Sequence, residues 1–213
     1  MTERRDHNKV IAEAARDALQ PLGLRRKGRS RTWLDDHGWW LGVVEFQPSS
    51  WARGSYLNVG AMWLWRNTSA HHIYFGLGHR IDGAGFADAS DGAFDDAAAA
   101  MAEAASARVR ALRAQLPTLE AAAAVLSEQA RRERGWPQWD AAVALGLCGK
   151  SSESASLFRE VAQGDDDREW WLPVKQDAAE LAELVRDDRA QFRACVDAWV
   201  ERYRAALSLP LAG

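Results

Sequence analysis

Residues 39–65 decide the fold, and they read WWLGVVEFQPSSWARGSYLNVGAMWLW. On either side of residues 48–54, apolar side chains alternate with small or polar ones, which is the period of two that is typical of a β-strand. The pattern predicts strands over residues 39–47 and 56–65. Proline, serine and glycine in residues 48–54 predict a connecting loop that is too long for a two-residue hairpin turn.

Two further strands are predicted beside this pair. Residues 30–34 contain threonine and tryptophan and lead into the turn D-D-H-G at residues 35–38, where aspartate and glycine suit a tight reversal. Residues 72–81 form a fourth predicted strand, which Gly76 and Gly78 interrupt. Because short loops join strands that are neighbours in sequence, the pattern predicts an antiparallel meander of about four strands.

Helical periodicity lies on both sides of the predicted sheet. Residues 5–22 place apolar side chains three and four positions apart, and Gly23 follows where such a helix would end. From residue 94 onward the chain is rich in alanine, the best helix former, and apolar stripes recur in successive helices. The sequence therefore predicts an α+β fold, with an N-terminal helix packed on the meander and a helical C-terminal half.

The predicted division of the chain falls in residues 81–92, where glycine, alanine and aspartate indicate a loop. Residues 1–85 are predicted to form an α+β domain with a tryptophan-rich antiparallel sheet. Residues 86–213 are predicted to be all-helical. Two arrangements stay open for them, a separate domain and a set of helices packed on the sheet as one unit.

Tryptophan is unusually frequent, with eleven residues in the chain and six of them between positions 33 and 65. In the strand over residues 56–65, the alternate side chains from Leu57 to Trp65 share the predicted core face. Trp39 and Trp40 are adjacent, so they point to opposite faces of a regular strand, and at least one leaves the main core. Two interpretations stay open, structural packing for the whole set and an aromatic ligand pocket lined by one or two of the indoles.

The overall composition is that of an ordinary globular protein. The chain is 47% hydrophobic with a net charge of −3, so nothing in its total charge attracts nucleic acid. No apolar run approaches the roughly 20 residues that span a bilayer, and residues 1–9 lack the apolar stretch of a signal peptide. We therefore expect a cytoplasmic protein without membrane contact, whose Cys148 and Cys195 are ordinary thiols.

Four segments of the first third of the chain form a recognisable pattern. They are LQPLGLRRKG at residues 19–28, TW at 32–33, VVEFQPS at 43–49 and YLNVG at 56–60. Over about residues 10–81 this pattern resembles the bacterial family called domain of unknown function 4304. The resemblance implies an opening helix followed by strands that carry Phe46, Gln47 and Ser49, and then Asn58 and Gly60. It implies no activity.

Polar side chains interrupt the apolar strands and give the best candidate site. A buried amide or carboxylate needs hydrogen-bond partners, because leaving one unpaired costs about 1–3 kcal/mol. The structural interpretation is therefore bonding across the strands, and the functional one is orientation of a polar ligand. The predicted ligand- or partner-binding residues are Glu45, Gln47, Ser49, Trp51, Asn58 and Arg80.

The histidines are the remaining candidates for chemistry. His71, His72, His79 and Asp82 lie within twelve residues, but their spacing matches no metal motif, and the adjacent pair points two ways on a strand. The sequence has no P-loop, nucleophile elbow or H-E-x-x-H motif. We predict no metal, no cofactor and no catalytic residue. The alternative is a hydrolase-type enzyme that uses Glu45 or His79 as a general base.

A basic segment offers a second alternative. Residues 25–31 hold five cations and are followed by Trp33, a combination that suits phosphate contact and base stacking on single-stranded nucleic acid. The structural interpretation is a solvated turn after a helix C-terminus, where cations are favoured. The net charge favours that interpretation. The leading prediction is a non-catalytic binding module for a partner protein or small ligand, with its oligomeric state left open.

Overall fold

A computed structural model describes residues 7–49, 54–68, 71–87 and 91–210. The described helices are α1 (His7–Leu19), α2 (Asp91–Gln115), α3 (Leu119–Arg132), α4 (Trp136–Leu147), α5 (Ser151–Gln163), α6 (Leu172–Asp187) and α7 (Arg189–Ala206). The described strands are β1 (Arg25–Arg26), β2 (Thr32–Asp36), β3 (Trp40–Pro48), β4 (Gly54–Trp63) and β5 (Leu77–Ala87). The predicted α+β fold, with an N-terminal helix, an antiparallel sheet and a helical C-terminal half, is confirmed.

The sheet follows the order β1-β2-β3-β4-β5, so each strand pairs with its neighbour in sequence as in a meander. The described part of the chain has five strands where about four were predicted. The additional strand, β1, pairs Arg25 with Leu34 and Arg26 with Trp33. Two arginines cannot show the alternation of apolar and polar residues by which a strand is recognised, so the sequence carries no signal for it.

The last strand differs from its prediction in both position and length. β5 begins at Leu77 rather than at residue 72, and it continues through residues that were predicted to be a loop, as far as Ala87. It extends because β4 starts at Gly54 and supplies backbone partners, pairing Gly54 with Ala87 at the far end. Gly78 adopts a positive φ of 75°, which fits an irregular entry into the strand.

The contacts divide the chain into two compact units. The first comprises Met1–Met62 and Ile73–Ala114, and its core lies between one face of the sheet and the helices α1 and α2. Leu57 and Val59 lie in that core, on the predicted core face of β4. The core side chains include Ile11, Ala15, Leu19, Trp33, Val44, Phe46, Leu57, Val59, Phe94, Ala98, Met101, Ala105, Val109 and Leu112.

The second unit comprises Trp63–His72 and Gln115–Gly213. Helices α3 to α7 pack on one another in chain order, and α4 lies at the centre because it also contacts α7. Residues 138–147 of α4 are all buried. The centroid of the Trp139 ring lies 5.6 Å from that of Phe158 and 5.8 Å from that of Trp199. Among the described residues, no helix has the length and apolarity that a membrane crossing requires.

Candidate functional site

Four of the predicted binding residues meet on the sheet face opposite the core, and we call this group the polar face: Glu45, Gln47, Asn58 and Arg80. Asn58 is only 2% exposed, and its Nδ2 donates to Glu45 Oε2 at 2.9 Å and to Gln47 Oε1 at 3.0 Å. Arg80 Nη2 donates to the same Gln47 oxygen at 3.0 Å. The network joins β3, β4 and β5, and it holds Glu45 Oε2 beside the amide of Asn58.

Two features of this network bear on ligand binding. The guanidinium of Arg80 is exposed and lies 4.2 Å from the centre of the Tyr56 ring, so it is held between an aromatic face and an amide. Asn58 Oδ1 is buried and accepts no hydrogen bond from the described residues. This arrangement is unusual, because most buried polar atoms of proteins have a hydrogen-bond partner.

The other two predicted site residues lie elsewhere. The Ser49 backbone N–H donates to Gly54 O at 3.0 Å, which brings the start of β4 beside the end of β3. This backbone hydrogen bond does not involve the Ser49 side chain, so the proposed binding role of that side chain stays a prediction. Trp51 lies outside the described residues.

A cavity of about 510 Å³ adjoins the polar face. The turn between β1 and β2 forms one wall with Lys27 and Arg29, while Phe75 forms an apolar wall and Glu45 a polar one. We call this space the basic-turn cavity. It offers two cations, one carboxylate and an aromatic ring to the same volume, and such a mixture is typical of sites for small polar ligands.

The basic segment was predicted as a solvated turn of cations, whereas the structure places Arg25 and Arg26 in β1 and turns the chain only after them. Arg26 Nε donates to Ser30 O at 2.6 Å and Arg26 Nη2 to Arg29 O at 3.0 Å, so Arg26 holds the turn together. Lys27 and Arg29 are exposed and face the cavity. Trp33 is 5% exposed and packs in the core, so its ring is not available to stack on a base.

The histidines of the sequence cluster have separate local contacts. The His79 ring lies edge-on to the Phe75 ring, with 5.4 Å between the ring centroids. The His71 ring lies edge-on to the Tyr203 ring, with 4.7 Å between the centroids. The backbone oxygen of His72 accepts a hydrogen bond from Tyr203 Oη at 2.9 Å. The described residues form no group of three or more side chains that could hold a metal ion.

A charged network in the first unit was missed at the level of sequence. Asp35, which was predicted as a turn residue, is 4% exposed and accepts from Arg113 Nη2 at 2.6 Å and Nε at 2.9 Å. A further hydrogen bond of 2.8 Å joins it to His37 Nε2. Burial alone would raise the pKa of Asp35, but the hydrogen bonds from His37 and Arg113 outweigh burial and hold it below its ordinary value.

A second missed pair lies in the second unit, where Asp140 of α4 is 1% exposed. Arg66 Nε and Trp65 Nε1 each donate to Asp140 Oδ1 at 3.1 Å, and Arg66 Nη2 donates to Oδ2. Burial raises the pKa of Asp140 above its ordinary value, against the opposing charge of Arg66. The partners are more than seventy positions apart, and nothing in their local sequence signals the pair.

The protein is of the α+β class, with a five-stranded antiparallel meander and a cavity of mixed polar and apolar lining beside the polar face. No protein-family model, curated protein or solved structure matches the chain.

Proposed function

We propose that the protein is a non-catalytic binding module and that the basic-turn cavity takes a small polar ligand. The observation that carries the proposal is the position of Glu45, whose carboxylate is held by Asn58 and at the same time lines a cavity of about 510 Å³. A carboxylate oxygen in a cavity favours a ligand that carries a hydrogen-bond donor. Because the side chain is already oriented before the ligand arrives, less conformational entropy is lost on binding.

The remaining walls narrow the chemistry of the ligand. Lys27 and Arg29 are exposed cations beside the cavity, so they favour an anionic group such as a carboxylate or phosphate. Phe75 and Ile73 add an apolar surface for the rest of the molecule. The best fit is therefore a small anion that also carries a hydroxyl or amine donor.

The alternative of a hydrolase-type enzyme that uses Glu45 or His79 stays a prediction. His79 contacts the Phe75 ring, and this contact accounts for its position without a substrate. Glu45 accepts a hydrogen bond from Asn58, which orients it equally well as a base or as a binding group. The cytoplasmic location and the resemblance to domain of unknown function 4304 also stay predictions.

Native mass spectrometry of the gently purified chain tests the proposal. We expect a small added mass on the wild-type protein that is lost in Glu45→Gln. The amide oxygen of glutamine can still accept from Asn58, but an NH2 donor then replaces the carboxylate oxygen that accepts from the ligand. Glu103→Gln, which changes an exposed glutamate of α2, is the matched control and should keep the added mass. A ligand that remains bound to Glu45→Gln contradicts the proposed site, and a co-purifying protein would point to a macromolecular partner.

A further inference from the structure

The second unit contains a groove that the sequence did not reveal, between the start of α4, the end of α5 and the segment that leads into α6. Its volume is about 660 Å³, and the rings of Trp136, Trp170 and Trp171 line one part of it. Glu160, Asp165 and Asp166 line another. We call it the tryptophan groove. It belongs entirely to the second unit and is separate from the basic-turn cavity.

The groove has a firm base. Trp171 is 3% exposed and meets the Trp136 ring edge-on at 4.9 Å. Gln138, which is 3% exposed, accepts from the Gly135 N–H at 3.1 Å and donates to Glu160 Oε2 at 2.7 Å. Because these side chains are already fixed by packing and hydrogen bonds, a partner would bind here without first ordering the groove.

Beside this base, by contrast, large apolar side chains are exposed to solvent. Trp170 is 54% exposed and Leu172 is 50% exposed, and they are the large apolar side chains that the described part of the chain leaves in contact with solvent. Exposed tryptophan is costly in water and is enriched at the centres of binding surfaces. Trp170 lines the groove and Leu172 follows two positions later in the chain, so this exposed apolar pair indicates a docking surface.

The charge around the groove identifies the chemistry of the occupant. Residues 160–169 hold five carboxylates and one cation, Arg168. Arg134 also lines the groove, and its Nη1 donates to Glu160 Oε2 at 2.8 Å, so the lining has three carboxylates against two arginines and keeps an excess of negative charge. The Arg168 guanidinium lies 4.5 Å from the centre of the Trp170 ring, and its Nε donates to Asp166 Oδ1 at 2.8 Å. The chain itself thus shows that an indole face and a carboxylate at this groove accommodate a guanidinium. Asp165 is exposed and lines the same groove.

From these observations we infer that the tryptophan groove binds an arginine-bearing basic segment of a partner protein. An arginine of the partner stacks on an indole of the groove and pairs with a carboxylate of residues 160–169, while an apolar neighbour in the segment covers Leu172. Arginine is favoured over lysine, because its planar guanidinium both stacks on an aromatic ring and bonds a carboxylate through two N–H groups. This inference is independent of the ligand proposed for the first unit.

Fluorescence anisotropy of a labelled tetra-arginine peptide tests the inference with the full chain. We expect binding at low ionic strength that is tighter than that of tetra-lysine and that weakens as salt screens the charges. Trp170→Ala should weaken binding by at least about threefold through loss of the cation–π contact. Asp165→Asn/Asp166→Asn should weaken it as well. The melting temperatures of both variants should stay close to that of the wild type, because these side chains lie at the surface.

The control is Asp197→Asn/Glu201→Gln, which removes the same two charges from exposed positions of α7 and should leave binding unchanged. Absence of tetra-arginine binding at low salt overturns the inference. Equal weakening by the groove variant and the control variant also overturns it, because the attraction would then come from net charge alone. Concentration-dependent self-association that Trp170→Ala abolishes would replace the partner with a second copy of this chain, whose residues 25–31 are basic.

Discussion

At the scale of single residues, Asp35 decides how the first unit responds to acid. Its pKa in the folded protein lies below the ordinary value near 3.8 because His37 and Arg113 favour the ionised form more than burial opposes it. A lowered folded-state pKa stabilises the protein above the unfolded-state value, and the contribution is lost as the pH falls through the folded-state value.

We therefore expect Asp35→Asn to lower the free energy of unfolding by about 1–3 kcal/mol at neutral pH, because Arg113 loses its charged partner. The difference from wild type should begin to shrink below about pH 4, where Asp35 of the unfolded chain takes up a proton, and it should disappear as the pH falls through the lowered pKa of the folded state. Urea unfolding at pH 7 and pH 3 measures both values. Asp17→Asn removes an exposed carboxylate from α1 and controls for net charge. A difference that stays constant or grows in acid would contradict this account.

The pair of Asp140 and Arg66 gives a prediction about coupling. Removing one partner leaves the other charge buried without compensation, so Asp140→Asn and Arg66→Met should each cost about 3–5 kcal/mol. The double variant should cost less than the sum of the singles, with a coupling energy of about 1–3 kcal/mol in a double-mutant cycle.

A surface pair in the same unit provides the comparison. Arg159 and Glu183 approach to 3.3 Å with side chains that are 41% and 60% exposed, so Arg159→Met/Glu183→Gln should cost less than about 1 kcal/mol. Chemical denaturation of all four variants and the wild type gives the energies. Additive single effects at Asp140 and Arg66 would show that the buried pair is not coupled.

At the scale of elements, the pairing of β4 with β5 depends on the absence of a side chain at Gly60. A Cβ atom built at this position would lie 2.3 Å from Leu77 O and 2.9 Å from Phe75 Cδ1. Gly60→Ala should therefore separate the two strands and lower the free energy of unfolding by about 1–3 kcal/mol. Because Phe75 lines the basic-turn cavity, the variant should also weaken binding of its ligand.

Gly164→Ala is the control for this change, since its Cβ atom would meet nothing closer than 3.4 Å. Thermal unfolding followed by tryptophan fluorescence compares the two variants. Equal melting temperatures for Gly60→Ala and the wild type would mean that β5 can move aside without cost, and the close strand packing would then have no energetic role.

The elements show which parts of the structure a sequence can predict. α4 lies within the part of the chain that was predicted to be helical, because Gly135 precedes it and its apolar residues are close together in sequence. The contact of Asn58 with Glu45 and Gln47 follows from side chains that share a face of neighbouring strands. The short β1 and the extension of β5 depend on partners elsewhere in the sheet, so a local pattern could not show them.

The same limit applies to the sites. Lys27 and Arg29 were noticed as cations, but only the fold places them beside Glu45, which is on another strand. Asp35 and Arg113 are 78 positions apart, and Trp136 meets Trp171 only because α4 and the start of α6 pack in one unit. The sequence identifies candidate side chains by their type, whereas tertiary packing decides which side chains come into contact.

At the scale of the whole molecule, charge is distributed unevenly along the chain. The turn at residues 25–31 is basic, and residues 160–169 are acidic, within a chain whose net charge is only −3. Local fields around a site, rather than the net charge, govern what binds there. The excess of cations beside the cavity and the excess of carboxylates at the groove are the reason why we propose ligands of opposite sign for the two sites.

This distribution predicts weak binding of nucleic acid by the full chain. Residues 25–31 hold five cations in seven positions. Arg26, however, is hydrogen-bonded to the backbone of the turn, and Trp33 is buried in the core. We expect no measurable binding of a short labelled single-stranded RNA at physiological salt in an anisotropy assay.

Binding that falls steeply between about 50 and 200 mM salt and is abolished by Arg25→Ala/Lys27→Ala/Arg29→Ala would instead make the basic turn a phosphate-contacting surface. Because the same three substitutions remove cations beside the basic-turn cavity, loss of a small anionic ligand without any effect on RNA would assign them to the cavity.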